Sequence, residues 1–177
     1  MSTLVLTLIG PDRAGLVEAV AATIAEHDGN WLGSRMSRLA GQFAGILEVE
    51  VPEEQLGALK IALQGLARQG LRVVTEGSEA ASAGAGDKIL RLELVGQDRP
   101  GIVREISQVL ARRGVNVEEL RTDRESAPMS GEALFRARAR LRLPDSADVE
   151  ELRSTLESIA SDLMVDLSLI EAEPRGQ

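Results

Sequence analysis

The chain has 177 residues, with 28 Asp and Glu against 20 Lys and Arg, a formal net charge of -8, one His, no Cys and no Tyr. That length suits one ordinary domain or two small ones, and the lack of Cys excludes a disulfide framework, a thiolate nucleophile and Cys-ligated zinc. No apolar run approaches the roughly 18 residues that span a bilayer, and the acidic balance argues against broad affinity for phosphate backbones; the expectation is a soluble, cytoplasmic protein with no membrane and no direct nucleic-acid contact.

Leu4, Leu6 and Leu8 alternate with other residues, as in a strand with one buried face. The turn Gly10-Pro-Asp-Arg-Ala-Gly15 follows, after which Leu16, Val20 and Ile24, with Val17 and Ala21, form a helical stripe ending at Gly29. Two strands are expected over 30–39 and 42–51. In the second, Phe43, Gly45, Leu47, Val49 and Val51 alternate with Glu48 and Glu50. A second helix carries Leu56, Leu59, Leu63 and Leu66, and a last strand covers 71–75. Small and polar residues fill 77–87, the composition of a flexible linker. Its Gly84-Ala85-Gly86 is no dinucleotide fingerprint, because it lacks the third Gly and the strand–helix setting.

The series then begins again. Ile9-Gly-Pro-Asp-Arg-Ala-Gly-Leu-Val17 reappears as Val95-Gly-Gln-Asp-Arg-Pro-Gly-Ile-Val103, so that Gly10 recurs at Gly96, 86 residues on. At the same offset Leu4, Leu6, Leu8, Asp12, Arg13, Gly15, Val17, Ala25, Asn30 and Arg35 meet identical residues. Further along, Phe43 meets Phe135 and Pro52 meets Pro144, an offset larger by six, so the second copy carries extra residues around 124–132. It repeats the strand as Leu90, Leu92 and Leu94 and the helix as Ile102, Ile106, Val109 and Leu110, ending at Gly114. Strands over 116–122 and 133–143 follow, then a helix with Val149, Leu152, Leu156 and Ile159, and a strand over 164–170. Pro100 suits a first helical turn, where a missing N–H costs nothing. The order βαββαβ, twice, implies an α/β protein of the α+β sandwich type. It has two ferredoxin-like domains at 1–77 and 88–177, joined by a linker at 78–87, with antiparallel sheets, right-handed crossovers and both helices on one face.

The most specific local feature is the matched strand–loop–helix turn. A helix start leaves backbone N–H groups unpaired and partly positive, so it can receive a carboxylate or phosphate. Gly15 and Gly101 put no side chain in the way. Asp12 or Asp98 could cap the helix or receive an ammonium group, and Arg13 or Arg99 could hold a carboxylate. These are the parts a zwitterion such as an amino acid needs. The plainer alternative is a capping Asp, a solvated Arg and a turn glycine, which a duplication would copy equally well. A nucleotide P-loop is excluded because Leu16-Val17 and Ile102-Val103 stand where Lys and Ser or Thr are required. Asn30 and Asn116, where the first helix of each copy hands over to the next strand, could bond a ligand's amino or carboxyl group or satisfy a turn.

On Asp12-Arg13-Ala14-Gly15-Leu16 and Asp98-Arg99-Pro100-Gly101-Ile102, together with the βαββαβ order, the chain resembles the ACT family of small-molecule regulatory domains over nearly its whole length. The absence of an attached catalytic domain and the loop Ala127-Pro-Met-Ser-Gly131 before Phe135 make it most similar to glycine cleavage system transcriptional repressor-like tandem ACT proteins. The resemblance implies a non-enzymatic, cofactor-free and metal-free sensor. A small amino acid, with glycine a candidate, would bind at those ten residues with Asn30 and Asn116, often where two domains meet. It also implies a homo-oligomer that acts on a transcription regulator of amino-acid metabolism through protein contact. Ala14 departs from the commoner Arg-Pro-Gly.

Other constellations carry less. Arg136, Arg138, Arg140 and Arg142 would project from one sheet face. A nucleic-acid surface needs aromatic platforms there, yet the aromatics are Trp31, Phe43 and Phe135, and both Phe point to the opposite side. The stripe is expected either to meet acidic groups such as Glu48 and Glu50 across a domain or subunit contact, or to be solvated. His27 reads as structural, near a helix C-terminus and matched by Arg113. Glu118-Glu119 and Glu150-Glu151 read as solvated. An acylphosphatase-like pairing of Arg13 with Asn30 or Arg99 with Asn116 is disfavoured by the negative Asp12 and Asp98. A pure interaction module that binds no metabolite is the main alternative.

Overall fold

The computed structural model describes residues 1–78, 87–126 and 132–172. Most of the expected linker and the loop Ala127–Gly131 lie outside the described residues. The chain divides into two compact units, Met1–Ala81 and Ser82–Gln177.

The first unit runs β1 (Ser2–Pro11), α1 (Leu16–Ala25), β2 (Asn30–Leu39), β3 (Gln42–Val51), α2 (Leu56–Gly65) and β4 (Arg72–Gly77), with short 3-10 turns at Glu53–Gln55 and Leu66–Gln69. The second runs β5 (Lys88–Gln97), α3 (Ile102–Arg112), β6 (Asn116–Ser126), β7 (Ala133–Leu143), α4 (Val149–Leu163) and β8 (Val165–Glu171). Strand orders are β2-β3-β1-β4 and β6-β7-β5-β8, and every pairing is antiparallel. The expected α+β fold, two βαββαβ units with four-stranded antiparallel sheets, is the observed one.

Alternation decides which sheet face is buried. Leu4, Leu6 and Leu8 lie opposite Val49, Leu47 and Gly45, and Leu47, Val49 and Val51 join them in a core with Leu16, Val20 and Ile24 of α1 and Leu59 and Leu63 of α2. Leu90, Leu92, Leu94 and Leu141 do the same with Ile102 and Ile106 of α3 and Leu152 and Leu156 of α4. In each unit both helices therefore cover one face of the sheet, and neither covers the other face.

Two matched features went unread in the sequence. Gly10 lies opposite Phe43, and Gly96 opposite Phe135. A Cβ at Gly10 would sit 2.5 Å from the Gly70 carbonyl oxygen, and one at Gly96 would collide with the Val165 side chain. These glycines serve the close approach of the last strand, not a ligand. The register also slips between Trp31 and Gly33 and again between Val117 and Glu119, making Leu32 and Glu118 the extra residues of equivalent bulges.

Candidate functional site

The candidate site of each unit is the turn that joins its first strand to its first helix. Gly15 and Gly101 are the residues before α1 and α3, at φ 89° and 100°, a left-handed conformation that glycine adopts without strain. Among the described residues, no side chain caps either helix. The first backbone N–H to bond back is that of Ala19, to the Gly15 oxygen at 2.9 Å, matched by Glu105 to Gly101 at 3.0 Å. The N–H groups of Leu16, Val17 and Glu18, and of Ile102, Val103 and Arg104, thus lack intrahelical acceptors and carry the positive end of the helix dipole.

Asp12 and Asp98 do not cap the helices. They stand three residues before the capping glycine and turn to the neighbouring strand, where Asp12 pairs with Arg38 of β2 at 2.7 Å and Asp98 with Arg124 of β6 at 2.8 Å. Their backbone N–H groups donate to the carbonyls of Gly41 and Ala133, which fixes the turn against the hairpin. Arg13 donates to the carbonyl of Gln69 at 2.6 Å and Arg99 to that of Asp162 at 3.2 Å. Both carbonyls lie at the C-terminal end of a helical segment, where a cation is favourable. The charges of the motif are therefore engaged within the fold, although Arg13 remains exposed.

The site residues separate accordingly. Leu16 and Ile102 are core residues, 4% and 3% exposed, so only their backbone can reach a ligand. Ala14 and Pro100 are exposed at the tip of each turn. Asn30 and Asn116 are exposed but do not join the turns: Asn30 lies across from Glu50, itself across from Thr3, while the turn lies beyond Gly10 and Phe43. Asn116 is likewise across from Arg142. The separation is about seven residues of strand, roughly 23 Å. The reason is geometric, because the first helix runs back along the sheet and delivers the chain to its far end. Arg13 and Arg99 consequently have no neighbouring Asn, and the acylphosphatase-like pairing is absent.

What the turns do offer is apolar shape beside bare amides. In the first unit an open groove of about 480 Å³ is lined by Asp12, Arg13, Gly15, Val17, Glu18 and Phe43, among others. In the second, a narrow apolar crevice of about 40 Å³ runs between α3 and β6, lined by Val103, Ser107, Val117, Leu120 and Phe135. Val17, Val103, Phe43 and Phe135, which line these hollows, stand outside the residues the motif singles out, although their identity between the copies is a signal that could find them.

The arginine stripe finds its carboxylates on its own sheet. Glu118 pairs with Arg140 at 3.0 Å and also with Arg142, Arg138 reaches Glu93 at 4.0 Å, and Arg136 reaches Glu125 at 3.7 Å. Partnership with Glu48 and Glu50 is not needed to account for it. Nor is Glu118 a solvated residue: as the extra residue of the bulge it falls between two arginines and is only 20% exposed. Burial by itself raises its pKa, but hydrogen bonds and charge from Arg142, then Arg140, hold the carboxyl below the ordinary glutamate range. Glu151 is likewise paired, with Arg113 at 2.6 Å. His27, in the turn that follows α1, donates from Nδ1 to the carbonyl of Thr23 in the last turn of that helix at 2.8 Å. Among the described residues, no group of three or more His, Cys, Asp and Glu could hold a metal ion, and no helix is long and apolar enough to cross a membrane.

These two βαββαβ units, each with a glycine-led turn at its first helix, define a tandem regulatory-domain architecture. The family model for the ACT domain matches residues 2–75, and a second ACT-domain model matches residues 90–160. The chain belongs to the ACT family as a tandem ACT-domain protein. Among solved structures it is similar to an "unknown protein" from Galdieria sulphuraria, at 28% identity and a TM-score of 0.88, with 97% of this chain and 99% of that one covered. It is also similar to a "putative glycine cleavage system transcriptional repressor", at 17% identity and a TM-score of 0.71, with 98% of each chain covered; at that identity the likeness is one of fold. No curated protein matches the sequence.

Proposed function

We propose that this protein is a non-enzymatic sensor in which a small amino acid binds at the start of α1, and of α3, and alters the association of the chain with a regulatory protein partner. The observation that carries this reading is the groove beside Gly15, where unpaired N–H groups of the first helical turn stand next to exposed Val17 and half-buried Phe43. The amides would receive the ligand carboxylate, and Glu18, exposed in the same groove, would face its ammonium group. Asp12, Arg13, Asp98 and Arg99 then act as the frame that holds each turn, leaving the backbone as the recognition element. The partner we infer is a transcription regulator of amino-acid metabolism, with glycine a candidate ligand and a cytoplasmic homo-oligomer the working assembly. A ligand shifts such an association only by its differential affinity for the two arrangements.

Calorimetry of the full chain against a panel of amino acids tests this. Binding of one small amino acid, lost in Val17→Arg, which fills the groove from an exposed position, supports it; a silent panel overturns it. A second reading, an interaction module that binds no metabolite, is favoured by the internal pairing of Asp12 with Arg38 and of Asp98 with Arg124. A silent panel together with retained partner binding selects it.

A further inference from the structure

The face of the second sheet opposite its helices carries a second constellation, unrelated to the turns. Strand register places Arg140 of β7 directly across from Arg91 of β5, and Arg138 of β7 directly across from Arg121 of β6. Residues two apart on β7 share a face, so the four guanidinium groups form one stepped run from Arg91 through Arg140 and Arg138 to Arg121. Glu93 stands across from Arg138 and Glu119 across from Arg140. Together these side chains line an open cleft of about 600 Å³. Glu171, at its edge, pairs in register with Leu90 and so belongs to the opposite face.

Like charges directly across a sheet repel, and only part of this repulsion is relieved internally. Arg140 is held by Glu118 at 3.0 Å. Arg138 meets Glu93 only at 4.0 Å, and Arg121, 74% exposed, meets Asp123 at 3.5 Å. Arg91 is exposed, and no ion pair or side-chain hydrogen bond engages it among the described residues. In the first unit the matched positions are Val5, Glu48, Ile46 and Arg35, in the same register. The run of four is thus a property of the second unit, not of the shared fold.

We propose that this cleft binds a small polyanion with at least two anionic groups, of the phosphorylated or polycarboxylate class, held by Arg91, Arg138 and Arg121. A guanidinium group donates to such oxygens two at a time. An extended nucleic acid fits less well, because the face has no aromatic side chain to stack a base and Glu93 and Glu119 would repel a continuous phosphate chain. The proposal is independent of the turn sites.

The test is calorimetric titration of the full chain at low ionic strength with two probes, inorganic pyrophosphate and citrate, which distinguish phosphate from carboxylate preference. One saturable site is expected for at least one probe, weakened tenfold or more by Arg91→Gln and by Arg138→Gln. The matched charge loss Arg68→Gln, an exposed position in the first unit, is expected to leave it within twofold. Glu93→Gln, which removes a competing carboxylate, is expected to tighten binding. Arg91 is exposed and pairs with none of the described residues, so its variant is expected to keep the native circular dichroism spectrum, and a loss of binding there is then not assigned to unfolding. No saturable binding of either probe, or equal weakening by Arg68→Gln, overturns the proposal. So does an oligonucleotide that binds at these arginines when both probes are silent.

Discussion

Asp12 and Arg38 lie 2.7 Å apart, and Asp98 and Arg124 repeat the pair at 2.8 Å in the second unit. In each unit the acid of the turn is tied to the last part of the second strand, closing the turn over the hairpin. With Arg38 69% and Arg124 70% exposed, each bridge is screened by solvent and stabilises modestly. Double-mutant cycles of Asp12→Asn with Arg38→Ala, and of Asp98→Asn with Arg124→Ala, are expected to give coupling energies of about 0.2–1 kcal/mol in urea denaturation. Additive effects would show that the acids are free for another partner.

The glycines of the turn separate into two kinds, and substitution distinguishes them. Gly15→Ala meets no neighbouring atom but is forced to φ 89°, and is expected to cost about 1–2 kcal/mol. Gly10→Ala keeps an ordinary strand conformation but drives a Cβ to 2.5 Å from the Gly70 carbonyl oxygen, and is expected to cost about 1–3 kcal/mol. Denaturant midpoints measure both. Only Gly15→Ala is expected to change amino-acid binding at otherwise native spectra.

Glu118 gives the second unit an acid-sensitive link. Its folded-state pKa is lowered, so its contribution is present above the ordinary glutamate range and is lost as pH falls through the depressed folded value. Glu118→Gln is expected to destabilise by about 1.5–3 kcal/mol at pH 7, because two arginines lose a charged acceptor. The gap between variant and parent is expected to narrow at about pH 3, seen by urea denaturation at both pH values. A gap independent of pH would rule out the ion-pair explanation.

Helix α4 starts on a side-chain cap: Asp148 accepts from the N–H of Glu150 at 2.8 Å and of Glu151 at 3.3 Å. Asp148→Ala is expected to cost about 1 kcal/mol, and Asp148→Ser to recover most of it. The check is thermal or urea denaturation of the full chain.

Much of this molecule was legible from its sequence. The duplication, the order of strands and helices, and the faces that bury Leu4, Leu6, Leu8 and Leu90, Leu92, Leu94 follow from alternation and helical spacing, which are local properties. Phe43 and Phe135 were readable as equivalents of one another but not as the residues opposite Gly10 and Gly96, because that relation depends on the pairing of separate strands. The turn was recognisable as a candidate site, yet the targets of its charges were not. Arg13 bonds a carbonyl 56 positions away and Arg99 one 63 positions away. Glu118 was misread as solvated because a one-residue bulge, invisible to an alternating pattern, moves it onto the arginine face. Asn30 and Asn116 lie away from the turns for a similar reason, since closeness to the helix end in the chain becomes distance once the helix has run the length of the sheet. Sequence determined the elements and their buried sides, because those are set by neighbours a few residues apart. Tertiary structure decided the partners, because a side chain bonds to whatever register and crossover bring within about 3 Å of it.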